Sequence, residues 1–246
     1  MNPYKQTLYV VWGNFLLFVL SSVYFQSWFL LPIAVVALYV FGCFSEVSVH
    51  RYYTHKSYET TEFKEKILRV FALLAGQGAT ISWVTVHRTH HAFEDTAKDP
   101  HSPLFHPWWK ILLGLFPQEY KNNLVIDLMR RPAWKYFIFE NTHYWLMWTA
   151  IWLISFFISP YLFYFIVSGS SLWYIATSAV NIINHGKLVG RVKYKDTVAT
   201  NSSIMNLLTG IGNHNNHHKY PKSYTYSTGT EIDINGWIIK TFLMKK

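Results

Sequence analysis

Four long apolar stretches, separated by polar segments, dominate the hydropathy pattern of the chain. They cover residues 8–25, 28–44, 144–158 and 161–183. A helix that crosses a bilayer needs about 20 mostly apolar residues. The pattern therefore predicts four transmembrane helices, the third completed by His143 and its neighbours. Breaks near residues 26–27 and 159–160 join the four helices into two hairpins.

Two further stretches are apolar but interrupted. Residues 67–86 are about as long as a span, yet they include Arg69 and the sequence Gly76-Gln77-Gly78. A fifth span here would place the histidines before and after it on opposite sides of the membrane. We therefore expect an interfacial or re-entrant helix over 67–86, and a second interfacial segment over the aromatic stretch 104–117.

The basic residues lie on one side of this arrangement. Lys5 precedes the first hairpin, twelve Lys and Arg residues lie from Arg51 to Lys135, and nine lie from Lys187 to Lys246. All 22 therefore fall on the same side of a two-hairpin protein. An excess of Lys and Arg marks the cytoplasmic side of a membrane. The pattern predicts a multi-pass integral membrane protein with both termini and the middle segment in the cytoplasm.

The composition also favours a membrane protein. Of the 246 residues, 51% are hydrophobic and only 14% are charged, whereas about 25% charged residues are usual in soluble proteins. The net charge of +9 does not indicate a nucleic-acid partner, because a nucleic-acid groove would not require the one-sided distribution. This charge is better suited to anionic lipid headgroups, an acidic electron donor or a phosphate-bearing acyl carrier. The single cysteine, Cys43, excludes internal disulfides and cysteine-ligated iron–sulfur centres.

Nine of the twelve histidines form a pattern of short motifs. Three clusters read HRYYTH, HRTHH and HNNHH, and a fourth element, NIINH, ends the last hairpin. The nine are His50, His55, His87, His90, His91, His185, His214, His217 and His218. In the two-hairpin topology all of them lie at or just beyond the cytoplasmic end of the membrane. The other three, His101, His106 and His143, are expected to be packing or interfacial residues.

The spacing indicates how the imidazoles converge. Residues at i, i+3 and i+4 share a helix face, so His87, His90 and His91 are expected to meet at one point, as are the three histidines of HNNHH. His50 and His55 lie about 140° apart on an ideal helix and are better suited to two different metals. Nine imidazoles are too many for one ion, since structural zinc takes four ligands. Imidazole binds iron, copper, zinc and nickel alike, so the residues alone leave the metal open.

At these motifs the chain resembles the membrane-bound fatty acid desaturases, in particular the stearoyl-CoA and cyanobacterial-type delta-9 acyl desaturases. The likeness runs from about His50 to Trp237. HRYYTH matches the family's HRxxxH box, and HRTHH with the downstream DPHSP matches HRxHH…DPHSP. NIINH matches NxxxH, and HNNHHKYP matches HNxHHxxP.

The resemblance implies one desaturase domain over residues 1–246 with an all-α integral membrane fold. Its four transmembrane helices would lie beneath a helical cytoplasmic cap that carries two irons. The nine motif histidines are implied as ligands, with His50 and His55 on different irons and Asn181 meeting one iron through water. O₂ is implied as co-substrate. Electrons are expected from a separate ferredoxin or cytochrome b5, because the chain has no G-x-G-x-x-G unit and no fused cytochrome b5 domain is expected.

Three positions depart from the family pattern. The family usually has a glutamate and an aromatic residue where this chain has Ile211 and Asn213, and a tryptophan where it has Gly236, beside Trp237. These replacements leave the implied ligands intact. They bear on the groups that support the ligands or on the substrate channel, and therefore on chain length, bond position and headgroup.

The expected activity is the O₂-dependent introduction of a cis double bond, at delta-9, into a saturated acyl chain of an acyl-CoA or acyl-lipid. Ordinary acids, bases and nucleophiles do not break an unactivated methylene C–H bond, but two irons generate a sufficient oxidant from O₂ and two supplied electrons. The nearest alternative is a di-iron hydroxylase or ketolase that acts on another lipid or hydrocarbon. A membrane metal transporter fits less well, because transporters place ionisable groups near the midplane. Arg51 and Arg88, inside the boxes, are candidates for donor docking, phosphate binding or structural support.

Overall fold

The computed structural model describes residues 1–116 and 121–245, and every regular element in that part of the chain is a helix. The helices are α1 (Pro3–Phe25), α2 (Leu30–Ser45), α3 (Glu62–Leu74), α4 (Thr80–Ala92), α5 (Trp108–Leu112), α6 (Asn122–Met129), α7 (Trp134–Ile158), α8 (Pro160–Val180), α9 (Ser203–Thr209), α10 (His214–Lys219) and α11 (Ile234–Ile238). Three of them continue as π-helical turns: α2 through Glu46–Thr54, α8 through Asn181–His185 and α11 through Ile239–Leu243.

The long helices end where the sequence places the hairpin breaks. α1 stops at Gln26, whose φ of 43° is left-handed. α8 begins at Pro160, and the side chain of Ser159 accepts a hydrogen bond from the backbone N–H of Tyr161. Proline at the first helical position and a serine cap both favour a helix start. α1 with α2, and α7 with α8, therefore form helical hairpins.

α8 lies at the centre of a bundle and contacts α1, α2 and α7. Two glycines allow it to approach α2 closely. A Cβ atom at Gly42 would lie 2.8 Å from the Trp173 ring, and one at Gly169 would lie 2.5 Å from the Phe41 ring. Small residues permit such close helix packing inside membranes.

Three helices of the described chain are long and apolar enough to cross a membrane. They are Pro3–Phe25, Leu30–Thr54 and Pro160–His185. The first and third contain the predicted spans 8–25 and 161–183, and the second covers all but the first two residues of 28–44. The remaining predicted span, 144–158, lies within the 25 residues of α7, which departs from helical geometry at His143 (φ −121°). The first half of α7 also buries Glu140 and Asn141, so α7 is long but less apolar. A fourth crossing stays a prediction.

The expectation of a single helix over 67–86 is wrong. The chain turns between α3 and α4, where Gly76 and Gly78 have φ values of +72° and +119° that other residues rarely adopt. The turn is buried in the bundle: Gly78 N–H donates to the Tyr144 hydroxyl (3.1 Å), and the Gln77 amide donates to Thr177 Oγ1 (2.7 Å). These contacts fix the start of α4, which carries the second histidine box.

The other predicted interfacial segment, 104–117, contains the short helix α5. Trp108 and Trp109 on α5 are 60% and 43% exposed, as expected for residues that meet headgroups. Pro117 lies outside the described residues.

Candidate metal centre

Five imidazoles from three parts of the chain converge at the ends of the bundle helices. We call this group centre A; it consists of His50, His55, His87, His91 and His217. Their Nε2 atoms form a connected set, with each neighbouring pair separated by 3.0 to 3.2 Å. All five Nε2 atoms therefore point toward a common volume.

Four more imidazoles form centre B, which consists of His90, His185, His214 and His218. The Nε2 atom of His214 lies 3.0 Å from that of His185 and 3.1 Å from that of His218. The buried Nε2 atom of His90 has no hydrogen-bond partner among the described residues. The two centres adjoin, because the rings of His91 and His218 stack with centroids 4.4 Å apart.

This geometry fits metal ions. Two imidazole nitrogens about 2.1 Å from one ion, and about 90–100° apart around it, lie about 3.0–3.2 Å from each other. Hydrogen bonds alone do not explain the contacts: His87 Nε2 faces the Nε2 atoms of His50, His55 and His91, and a neutral imidazole carries one N–H. A cation in each centre would accept the facing lone pairs.

The protonation states also suit metal binding. Burial first, and repulsion between neighbouring imidazolium charges second, lowers the pKa of His91 to about 3. The same causes hold other imidazoles well below their ordinary pKa of 6.5, namely His87, His90, His214, His217 and His218. These rings are neutral at physiological pH, which is the form that binds metals.

Carboxylates on the far side of three rings orient the nitrogens. The Nδ1 atoms of His50, His90 and His185 lie 2.8, 2.8 and 3.2 Å from hydrogen-bonding carboxylate oxygens of Glu46, Asp99 and Asp95, respectively. A carboxylate at Nδ1 fixes the proton there and leaves Nε2 for the metal. A fourth carboxylate, Glu94, lies 2.7 Å from His218 Nδ1 but without hydrogen-bond geometry. Sequence reasoning assigned a role to none of these four carboxylates. Asp99 stands in the DPHSP block, and Glu46, four residues before His50 on one helix, had a local spacing signal.

The expectation that His50 and His55 serve different metals is wrong for this geometry. Both lie in centre A, because the helix between them is a π-helix. The His55 N–H donates to the His50 carbonyl oxygen (3.1 Å), an i→i+5 bond that places residues five apart nearly above one another. The 140° estimate assumed an α-helix.

The expectation that the three histidines of each HxxHH box converge on one point is also wrong. His87 and His91 belong to centre A, whereas His90 belongs to centre B. In the third box His217 joins centre A, and His214 and His218 join centre B. Each HxxHH box lies between the centres and supplies both, whereas the first box supplies centre A alone.

The other polar candidates have distinct positions. Asn181 is half-buried and lines a cavity shared with His87 and His101. His101, expected to be a packing residue, is 5% exposed, and its ring lies 4.5 Å from that of His90 beside centre B. His106 contacts the Asp99 carbonyl oxygen through Nε2 (2.9 Å), and His143 contacts a backbone carbonyl within α7.

Arg51 and Arg88 have structural partners. Arg51 is fully buried and forms two hydrogen bonds to the Asp233 carboxylate, of 2.8 and 3.0 Å. Arg88 forms two bonds to Asp127, of 2.7 and 3.1 Å, and also donates to the carbonyl oxygen of Thr54. Both arginines therefore tie their boxes to other segments.

The positions that depart from the family pattern also have local roles. Ile211 is buried in the bundle core. The Asn213 amide donates to the Ile232 carbonyl oxygen (3.1 Å). A Cβ atom at Gly236 would lie 2.8 Å from the Asp233 side chain, so a tryptophan would not fit there without rearrangement.

A small cavity of about 70 Å³ adjoins centre A. Its wall includes Trp83, His87, Phe116, Tyr174 and Asn181, and Gln77 and Thr177 close one side. The Trp83 ring stacks on His87, with centroids 4.8 Å apart. The fold and the site thus define a helical protein with spans suited to a membrane and two adjoining all-histidine candidate metal centres beside a cavity.

Comparison with known sequences identifies the family. The sequence model of the fatty acid desaturase family matches residues 26–228, so the chain belongs to that family. It is 32% identical over 207 residues to the "Delta-9 desaturase-like 2 protein" of Arabidopsis thaliana, covering 79% of this chain and 67% of that protein. It is 31% identical over 247 residues to the "sn-2 palmitoyl-lipid 9-desaturase" of Nostoc sp. (strain 36), covering 94% and 84%. Identity to the "Acyl-CoA C20 Delta5-desaturase" of Anemone leveillei is 30% over 214 residues, covering 82% and 66%.

Proposed function

We propose that the chain is a fatty acyl desaturase that uses two irons, O₂ and two electrons to convert two adjacent methylenes of an acyl chain into a cis double bond, with release of water. The observation that carries this proposal is the pair of adjoining histidine centres next to the cavity at His87. The five rings of centre A would hold one iron. The four rings of centre B would hold the other, and Asn181 would meet one of the two irons through water. When bound, the irons supply the oxidising power that hydrogen removal from a methylene requires.

The residues around the cavity would position the acyl chain. His87 and Asn181 mark the metal side of the cavity, and Trp83 and Phe116 provide apolar contact surface. The Gln77 amide, held between Ser45 (3.0 Å) and Thr177 (2.7 Å), closes the cavity with satisfied polar groups. This lining combines apolar contact surface for a hydrocarbon with polar groups whose hydrogen bonds are satisfied.

The topology that best fits the charge pattern places both termini and both centres in the cytoplasm. Helices α1, α2, α7 and α8 would then span the membrane as two hairpins. His50 and His185 lie at the same end of α2 and α8, since Ser45 and Thr177 both contact Gln77. The basic cytoplasmic face would meet membrane lipids and an acidic electron donor, either ferredoxin or cytochrome b5.

The substrate proposal rests on the relatives. The Nostoc protein is named for position 9 of a palmitoyl lipid and the Anemone protein for position 5 of an acyl-CoA. Because the Nostoc relative aligns with 94% of this chain, we propose delta-9 desaturation, with an acyl-lipid or acyl-CoA as the carrier.

The test is the fatty acid profile of a desaturase-deficient microbial host that expresses the chain with a compatible electron donor. Gas chromatography–mass spectrometry should show a new monounsaturated acid, and the position of its double bond reports regiochemistry. His90→Ala should abolish the product. His143→Ala, which changes a histidine outside both centres, should retain it.

A product that gains oxygen, rather than losing two hydrogens, would replace desaturation by hydroxylation. Unchanged lipids with membrane-inserted, iron-loaded protein would overturn the proposal for acyl substrates. Equal product from His90→Ala and wild type would overturn the assignment of centre B.

A further inference from the structure

A second cavity, of about 150 Å³, lies between α1, α5 and α8. Its wall is almost entirely apolar and includes Val11, Trp12, Phe15, Leu112, Leu113 and Ile175. We call it the lateral groove. It is distinct from the cavity at His87, because the two share a single wall residue, Tyr174, among the residues that the structure describes.

The lateral groove opens on the outer surface of helices suited to a membrane. α1 and α8 are two of the three helices long and apolar enough to cross a bilayer. Val11 forms the buried floor, being 5% exposed, whereas Trp12, Phe15 and Ile175 at the rim are each 37% exposed. At this position the groove would face lipid tails rather than water.

Tyr174 forms a partition between the groove and the metal-side cavity. Its side chain is 8% exposed and borders both spaces. Its hydroxyl end contacts Gly114, whose φ of +70° and lack of a Cβ leave room for the phenol. The α5 side of the groove is tied to α1 by a hydrogen bond from Trp12 Nε1 to the Leu113 carbonyl oxygen (3.3 Å).

We propose that the lateral groove binds the hydrocarbon tail of a membrane lipid and that Tyr174 is the gate between this tail and the metal centres. The apolar lining, the opening toward the bilayer and the wall shared with the metal-side cavity together favour this occupant. Binding in the groove does not depend on catalysis. Passage of the same tail to the metals rests on the proposed desaturase function.

Photo-cross-linking tests occupancy. The full chain is reconstituted in phosphatidylcholine vesicles that contain a phospholipid with a diazirine in its acyl chain. The sample is then irradiated and the protein is digested. Mass spectrometry should find adducts enriched at groove residues over other lipid-facing positions. Ile175→Trp fills the groove and should lower these adducts several-fold. Leu162→Trp, on the same helix with 38% exposure against 37% for Ile175, should leave them unchanged.

A second variant keeps the test decisive if Ile175→Trp fails to fold. Leu113→Ala enlarges the groove while keeping the backbone oxygen that Trp12 binds, and should raise the adduct yield. Equal labelling in wild type and all well-folded variants, or labelling spread evenly over the apolar surface, would overturn the binding site.

The gate is tested separately. Tyr174→Ala should extend the adducts to Trp83 on the metal side, whereas Tyr174→Phe, which retains the ring, should not. Absence of adducts at Trp83 in Tyr174→Ala would overturn the gate. A wild-type chain that shows groove adducts but makes no unsaturated product would contradict the desaturase function and leave the binding site standing.

Discussion

The buried ion pair between Arg51 and Asp233 gives the sharpest prediction. Arg51 follows His50 in the first box and is 0% exposed, and its guanidinium lies 3.8 Å from the Tyr226 ring centre. Two of its hydrogen bonds go to Asp233, and its Nε atom lies 3.4 Å from Glu46. Asp233→Asn removes the charge while preserving the shape and the capacity to cap α11.

The expected loss of stability in Asp233→Asn follows from the burial of Arg51. Removing one partner of a buried ion pair costs about 3–5 kcal/mol, because the remaining charge is left without compensation. Glu46 still faces the guanidinium after Asp233→Asn, so we expect the lower end, about 3 kcal/mol. For chains of about 150–250 residues each kcal/mol shifts the melting temperature by about 2–4 °C, which gives a decrease of about 6–12 °C.

A functional consequence should accompany the loss of stability. Glu46 also lies 2.8 Å from His50 Nδ1. Without Asp233, Arg51 has Glu46 as its remaining carboxylate and should draw it away from His50. We therefore expect Asp233→Asn to retain less iron than wild type at equal protein concentration, although Asp233 contacts neither centre.

Tryptophan fluorescence melts of the purified protein in detergent, with metal content measured by mass spectrometry, provide the assay. The matched control is Glu62→Gln, which breaks the Glu62–Lys66 pair (3.2 Å) whose side chains are 85% and 60% exposed. Exposed ion pairs contribute little to stability, so the control should have the melting temperature of wild type. If Asp233→Asn also has the melting temperature of wild type and retains its iron, the inferred role of the Arg51–Asp233 pair is refuted.

Three further outcomes are expected. Asp99→Asn should weaken metal retention about 10–100-fold in competition with a chelator, because Asp99 lies 2.8 Å from His90 Nδ1; equal retention would contradict this role. In thermal melts Glu140→Gln should be close to wild type or more stable, since one oxygen of the buried Glu140 carboxylate has no partner among the described residues, whereas Glu140→Ala should be destabilised by about 1–3 kcal/mol. Burial alone would raise the pKa of Asp127, but hydrogen bonds from Arg88 and a neighbouring lysine lower it from 3.8 to about 2. A carboxyl group whose pKa is lower in the folded than in the unfolded chain stabilises the fold at pH values above its unfolded-state pKa. The difference in melting temperature between wild type and Asp127→Asn should therefore be constant above the unfolded-state pKa. It should shrink as the pH falls toward the folded-state pKa.

The apolar pattern was sufficient to predict the helices of the bundle and their ends at the hairpin turns, but not their ends on the side of the histidines. The stretch 8–25 lies within α1, and 161–183 lies within α8 and its π-helical continuation, because an apolar run of that length has few other stable arrangements. The helix that begins at Leu30 instead continues through the polar first box to Thr54. Buried partners such as Glu46 and Asp233 stabilise its charged residues there, and hydropathy does not report such tertiary contacts.

The histidines themselves were recognisable, whereas their grouping was not. Box spacing predicts convergence if the helices are ideal, and a π-helix under His50 and His55 changes the angle between them. The split of His87 and His91 from His90 depends on which neighbouring segments approach α4. Those approaches come from residues distant in the sequence, so local periodicity contains no information about them.

The segment that fixes the first and third boxes relative to each other lies outside the residues that the family model matches. The family match ends at residue 228, yet the Asp233 carboxylate binds Arg51 of the first box, and the Ile232 carbonyl oxygen accepts from Asn213, next to the third box. Two consecutive residues thus hold both boxes. Asn213 replaces the aromatic residue usual in the family with an amide that binds this segment. The Asn213 amide therefore anchors the third box of this chain to the segment that also binds Arg51.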